Sequence, residues 1–278
     1  MVKFHPITLD DRDTCLELFD EAGWGNTEDD FRRMLHYALG GCFLADDGVG
    51  MVSTVNYGSV GWIGNLIVRL KERGKGIGTE LMGKAIGHLQ KCGVQSIRLD
   101  AVEKAVDLYR RLGFREEFRS LRYRGTVRSV YGDLASEMKE TDLKTVIELD
   151  ETYFGVSRER ILNRIYMEYP EHCFTAWEGS RLEGYIMAKL GDPVNRVGPW
   201  ICNPIRPDLA GSLWNSLMQS FEGNEMWIGI PEDNMAAVHF VKGSGFIEQP
   251  SSFRMCLGEC TPMGKATGQF SIGAPDKG

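Results

Sequence analysis

The sequence predicts an α/β protein made of two tandem, related domains, each a mixed, twisted sheet flanked by helices. Three observations predict it. Helix and strand signals alternate along the chain, the layout of the first half recurs in the second, and 278 residues are too many for one ordinary core.

The elements of the first half follow in order. Residues 10–22 and 27–39 carry apolar side chains at helical spacing, each stretch opening on acidic or capping residues. CFLADD (42–47), the turn Gly48–Val49–Gly50 and MVSTVNYG (51–58) read as a β-hairpin. VGWIGNLIV (60–68) is a continuous apolar strand, and residues 78–93 form a helix ended by glycine. SIRLDA (96–101) is a short buried strand, VEKAVDLYRRLGF (102–114) a helix running into a turn, and FRSLRYRG (118–125) a last strand.

The second half repeats this layout. A hairpin pattern opens at Cys173–Phe174 as another does at Cys42–Phe43, and Val60–Gly61–Trp62–Ile63 is echoed by Val197–Gly198–Pro199–Trp200–Ile201. LYRRLGF (108–114) is echoed by FVKGSGF (240–246). Three similarities in the same order at nearly equal spacing indicate a duplicated domain. The boundary is expected within 126–135, giving domains 1–128 and 129–278. The Gly-rich segment 265–278 reads either as an extension crossing to the other domain or as a frayed end.

Composition bounds the function. The net charge of −7 sits in the second half: residues 1–125 hold 18 basic and 18 acidic side chains, residues 126–278 hold 14 and 21. That excludes a general nucleic-acid binder and leans toward a cationic small acceptor, although ordinary solubility explains it equally well. No apolar run approaches the ~20 residues that span a bilayer, and the first residues carry no secretory signal. Membrane partners are therefore not expected; a homo-oligomer is compatible with the sequence. Seven scattered cysteines, most within apolar runs, point to reduced thiols and a cytoplasmic protein. Cys256 and Cys260 lack the companions of a zinc site, so no metal is expected.

The chemistry concentrates in residues 66–79. Here an apolar strand runs into a basic, glycine-rich loop and directly into a helix. Gly74, Gly76 and Gly78 let the backbone turn its N–H groups toward a ligand, the helix N-terminus adds partial positive charge, and Arg73 and Lys75 add full charges. These features call for a phosphate or pyrophosphate. A dinucleotide fingerprint lacks its third glycine. The P-loop near-match Gly78–Lys84 has Ala85 where Ser or Thr belongs and lies within a helical pattern, which makes a P-loop nucleotide site improbable.

Arg73–Gly74–Lys75–Gly76–Ile77–Gly78 resembles the R/Q-x-x-G-x-G/A signature of the GNAT acyltransferases, preceded by their Leu-x-Val strand, and Leu108–Phe114 is similar to their LYxxLGF helix. The resemblance covers 1–125 well and 135–260 more weakly, as in tandem members with a degenerate second domain. It implies acyl transfer, by default acetyl, from acetyl-CoA as co-substrate to a small-molecule amine. The backbone of residues 73–78, with Thr79 beside it, would hold the CoA pyrophosphate, main-chain groups of Leu66 and Val68 the pantetheine, and Tyr109 would protonate the departing thiolate. A non-catalytic acyl-CoA-binding or sensing protein is the alternative, and the retained Tyr109 counts against it.

Departures from the family pattern are specific. The asparagine expected seven residues before the tyrosine is Val102, and the glutamate base expected at the start of the fourth strand is Trp62. The base is then Asp100 or water, with a helix N-cap as the competing role for Asp100. The loop containing Trp24 is acidic and aromatic, which suits a cationic amine; Trp24 and Trp62 are the candidate acceptor contacts. In the second half prolines replace the glycine loop and Val241 replaces Tyr109, while Asn234 survives at the family spacing. That half is read as non-catalytic.

Overall fold

The structure, a computed structural model, describes residues 2–127, 132–133, 135–191 and 194–278. The first half runs β1 (Phe4–Pro6), α1 (Arg12–Ala22), α2 (Glu28–Ala38), β2 (Phe43–Ala45), β3 (Gly50–Asn56), β4 (Val60–Val68), α3 (Ile77–Lys91), β5 (Ser96–Val102), α4 (Val106–Arg111) and β6 (Arg115–Thr126). The second runs β7 (Ser136–Glu137), α5 (Leu143–Phe154), α6 (Glu159–Glu168), β8 (Cys173–Glu178), β9 (Arg181–Lys189), β10 (Asn195–Cys202), α7 (Pro207–Ser220), β11 (Glu225–Pro231), α8 (Met235–Gly243), β12 (Ile247–Gly258) and β13 (Gln269–Ser271). Local chemistry sets the helix ends. Thr27 and Asp30 close a reciprocal capping box on α2, and Gly23 ends α1 in the left-handed region at φ +68°.

Among the described residues the strands form one sheet of 13, in the order β1-β2-β3-β4-β5-β12-β6-β11-β10-β9-β8-β7, with β13 against β10. The two halves exchange their last long strands. β12 pairs antiparallel with β5 and β6, and β6 pairs antiparallel with β11. The expected boundary falls largely on residues 128–131 and 134, outside the described residues. As strands, the halves interlock across it.

Four buried clusters line the faces of this sheet. One holds Ile63, Leu81, Leu89, Leu99 and Tyr109 under α3 and α4. A second packs α1 and α2 through Leu18, Phe19 and Phe31. A third fills the second half, where Trp200 and Trp214 stack with centroids 5.4 Å apart. The fourth is shared: Trp62 and Val55 of the first half pack with Phe154, Ile165 and Tyr185 of the second. On β4, therefore, Ile63 faces α3 while Trp62 faces the other half, as strand alternation requires.

In each half the two parallel strands separate after a few residues. β4 pairs with β5 only at Val60–Trp62, and β10 with β11 only at Asn195–Val197. An irregularity follows in both. In β4 it centres on Asn65, at φ +48°, whose side chain donates to Ser53 Oγ at 3.0 Å. In β10 it centres on Gly198–Pro199.

The segment after β12 crosses the molecule, which decides between the two readings of 265–278. β13 pairs with β10, Ser271 Oγ donates to Val197 O at 3.0 Å, and Ile272 N donates to Gly229 O on β11 at 2.9 Å. The fork of the second half is thus filled by the chain itself. Residues 274–278 then reach β4 of the first half.

One further expectation changes. Cys256 and Cys260 form a disulfide, with Cα atoms 5.8 Å apart, so the inference of uniformly reduced thiols fails at this pair. No helix among the described residues is long and apolar enough to cross a membrane.

Candidate active site

The open end of the first fork, between β4 and β5, is where the glycine loop, the end of β4 and the helix bearing Tyr109 lie in the fold. After Val68 the chain makes a single 3-10 turn and enters the loop Arg73–Gly76, which feeds α3. Gly74 and Gly76 adopt φ of +80° and +86°, and a Cβ at either would meet nothing within 4 Å. This backbone turns through left-handed conformations that only glycine enters without strain, beside open space. The five successive N–H groups of residues 74–78 have no acceptor among the described residues. Five free donors at a helix N-terminus form a concave anion cradle. The P-loop near-match falls inside α3, as its amphipathic pattern suggested.

The charged side chains of this loop have local partners. Arg73 Nε donates to Val68 O at 2.9 Å, tying the loop back onto β4, and Lys75 pairs with Glu72 at 2.8 Å. Backbone donors rather than these two side chains are what the loop leaves free. Leu66 and Val68 are half-buried on the stretch of β4 that has no β5 partner. Thr79 is exposed in the first turn of α3.

Tyr109 approaches from α4. Its ring is 8% exposed, edge-on to Phe114 at 5.9 Å, and its hydroxyl has no hydrogen-bond partner among the described residues. Burial pushes its pKa up to about 12, so the phenol keeps its proton at neutral pH.

The other candidates are placed differently. Asp100 lies inside β5, capping no helix, which corrects the N-cap reading. Its fully buried carboxylate accepts from Ser120 Oγ at 2.8 Å and from Arg254 on the exchanged β12, at 3.2 Å for each oxygen, with Arg122 at 3.9 Å. Trp62 is fully buried rather than lining an open pocket. The Arg254 guanidinium lies 4.3 Å from its ring centroid, and its Nε1 donates to Pro275 O at 3.0 Å. Trp24 is 40% exposed between α1 and α2, and its carbonyl accepts from Arg196 of β10 at 2.7 Å. Asp30 is engaged by Thr27 and Arg33, and Glu28 by Arg32, so the acids of this loop mostly serve α2.

Sequence reasoning offers 265–278 as a crossing extension but names no functional residue within 274–278. The latter segment lies on the Trp62 face of β4, where Asp276 packs directly on Gly64: a Cβ at Gly64 would come within 2.6 Å of Asp276 Cβ. No local signal marked these residues beyond their glycine content.

The second fork shows why that half differs. Asn234 caps α8 by accepting from Ala237 N at 3.0 Å. Its amide donates to Thr267 O at 3.0 Å and Gln269 O at 3.1 Å, fastening the segment that carries β13. α7 begins at Pro207 with no glycine loop before it.

Residues 11–114 match the acetyltransferase (GNAT) family, and residues 146–271 match a second acetyltransferase (GNAT) domain. No curated protein has a significant sequence match to the chain. Among solved structures, an acetyltransferase-like protein from Pyrococcus horikoshii is 25% identical, with 100% of this chain and 96% of that one covered and a TM-score of 0.83. A GCN5-related N-acetyltransferase from Sphaerobacter thermophilus is 15% identical over 95% and 98% of the two chains, with a TM-score of 0.68. A tandem GNAT protein from the clavulanic acid biosynthesis pathway is 14% identical over 94% and 100%, with a TM-score of 0.67. The last two show a shared fold alone.

Proposed function

Because this chain belongs to the GNAT acetyltransferase family, in its tandem form, we propose that its first domain transfers an acetyl group from acetyl-CoA to the amine of a small molecule. The observation that carries this reading is the run of free N–H groups over residues 74–78, with a β4 end that has no β5 partner and a buried, protonated phenol.

In this reading the free backbone donors of residues 74–78 receive the pyrophosphate of CoA, with Arg73 and Thr79 flanking them. The main chain of Leu66 and Val68 aligns the pantetheine arm and polarises the thioester carbonyl, as an oxyanion hole does. Acetyl-CoA supplies the activated acyl carbon. Tyr109 gives its proton to the sulfur as the carbon–sulfur bond breaks, which avoids expelling a free thiolate into an apolar pocket. Burial suits the phenol to that task, since it arrives protonated at any pH near neutrality. Attack is direct, in a ternary complex, and no covalent enzyme intermediate is needed. The second domain holds no donor site of its own in this reading, because its fork is occupied by residues 269–272.

The test is incubation of the full chain with acetyl-CoA and a panel of primary amines, reading CoA release together with the acetylated amine by mass spectrometry. Acetylation of at least one amine is expected, with cationic amines favoured. Tight acetyl-CoA binding without transfer to any amine would instead favour the sensing alternative.

A further inference from the structure

We propose that Asp276, carried by the segment that crosses from the second half, is the base on the acceptor side of the first domain: its carboxylate takes the proton that the attacking amine loses. This rests on the acyl-transfer reading above and supplies the group which that reading lacks, since Trp62 stands at the family's glutamate position and Asp100 is committed elsewhere.

Placement makes the case. Side chains alternate along β4, so Ile63 joins the core under α3 while Trp62 and Gly64 face the opposite side. Asp276 sits on Gly64, two residues before Leu66. A regular strand would separate the two by about 7 Å, and the irregularity at Asn65 shortens that advance. One side chain, or one side chain and a water, spans that distance.

The segment is built to hold that position. Reciprocal hydrogen bonds between Ala274 and Gly278, at 3.1 and 2.8 Å, close it into a tight loop. Three donors from the body fix its carbonyls: Trp62 Nε1 on Pro275, Tyr57 Oη on Lys277 at 2.6 Å, and Arg158 Nη1 on Gly278 at 3.0 Å. None of these bonds uses the Asp276 carboxylate. Among the described residues its ion-pair partner is the adjacent Lys277, at 2.5 Å, and it remains one-quarter exposed while Asp100 is not exposed at all. Gly64 is required here because any side chain would collide with the segment.

The surroundings keep this carboxylate ionised. Lys277 and Lys189 of β9 hold its pKa below the ordinary carboxylate value, against burial and the charge of Asp30 on α2. An acid so placed is ionised throughout the neutral range. It is matched to the strongly acidic N–H of an amine that has begun to bond to carbon, rather than to a free amine.

The step balances. The amine lone pair forms the nitrogen–carbon bond, and the carbon–sulfur pair leaves on sulfur. Sulfur takes the Tyr109 proton and Asp276 takes the N–H proton. Exchange with water then restores both side chains.

The test uses Asp276→Asn and Asp276→Glu in the full chain, with calorimetric acetyl-CoA binding, melting temperature, and CoA release from acetyl-CoA alone, where water takes the amine's place. Asp276→Asn is expected to bind acetyl-CoA like wild type, to melt somewhat lower because Lys277 and Lys189 lose a counter-charge, and to release CoA about 100-fold more slowly, with Asp276→Glu recovering part of the rate. Wild-type release by Asp276→Asn would overturn the proposal. So would a wild-type chain that binds acetyl-CoA yet releases CoA no faster than solution. A wild type that fails to bind acetyl-CoA would instead remove the acyl-transfer reading beneath it.

Discussion

Replacing Tyr109 with phenylalanine is expected to lower turnover about 100-fold and to leave the acetyl-CoA dissociation constant unchanged. The separation is clean because the hydroxyl makes no hydrogen bond among the described residues, while the ring does the packing against Phe114. Phenylalanine keeps that edge-on contact and removes only the proton donor, so stability should hold or rise slightly. Single-turnover CoA release and a calorimetric titration on the same preparation measure both halves of the expectation. Unchanged turnover would assign the protonation of sulfur to another group or to water.

Asp150→Ala is expected to cost ~3–5 kcal/mol of stability, the scale of stripping one partner from a buried ion pair. Asp150 and Arg158 have side chains 0% and 1% exposed, joined by two bonds at 2.9 and 2.6 Å, and the Tyr185 hydroxyl also donates to the carboxylate. The Arg158 guanidinium stacks 3.8 Å from the Phe154 ring centroid and holds Gly278 O. Alanine would strand that cation in the core shared by the two halves. It would also loosen the anchor of residues 274–278 on β4. Urea denaturation should show a lower midpoint, and the double variant Asp150→Ala/Arg158→Met should recover part of the loss. If the double variant were no better than the single one, packing of the carboxylate rather than a stranded charge would be the cause.

Much of this molecule is local, and that part was legible. Helix α2 announces itself by Thr27 and Asp30 and by its apolar stripe; the loop at 74–78 by glycines whose left-handed backbone no other residue adopts cheaply. The duplication was visible because both halves reuse the same hairpin and the same strand-to-fork sequence.

The strand exchange was not legible. β6 and β12 are both 12-residue strands that close their respective halves, and nothing in either one's sequence states which neighbour it takes. Asp100 shows the consequence. Alone it reads as an acid at a strand end, yet the arginine that occupies it, Arg254, comes from the exchanged strand 154 positions away. β13 is likewise only three residues long and exists because Asn234, Ser271 and Gly229 hold it in the second fork. Asp276 escaped notice for the same reason: its meaning lies in its contact with Gly64, not in its neighbours in sequence.

The central claim is that the first fork, and only it, holds acetyl-CoA on backbone donors at the start of α3. The most direct test is calorimetric titration of the full chain with acetyl-CoA beside the variant Gly78→Glu. A Cβ at Gly78 meets only Val68 Cγ2 at 3.7 Å and Leu108 Cδ2 at 3.8 Å, ordinary contacts that the fold accepts, and the substitution sets a negative charge on the first turn of α3 beside the anion cradle. One site per chain in the wild type, lost in a variant of unchanged melting temperature, is the expected result. No binding by the wild type, two sites per chain, or full binding by Gly78→Glu would contradict it.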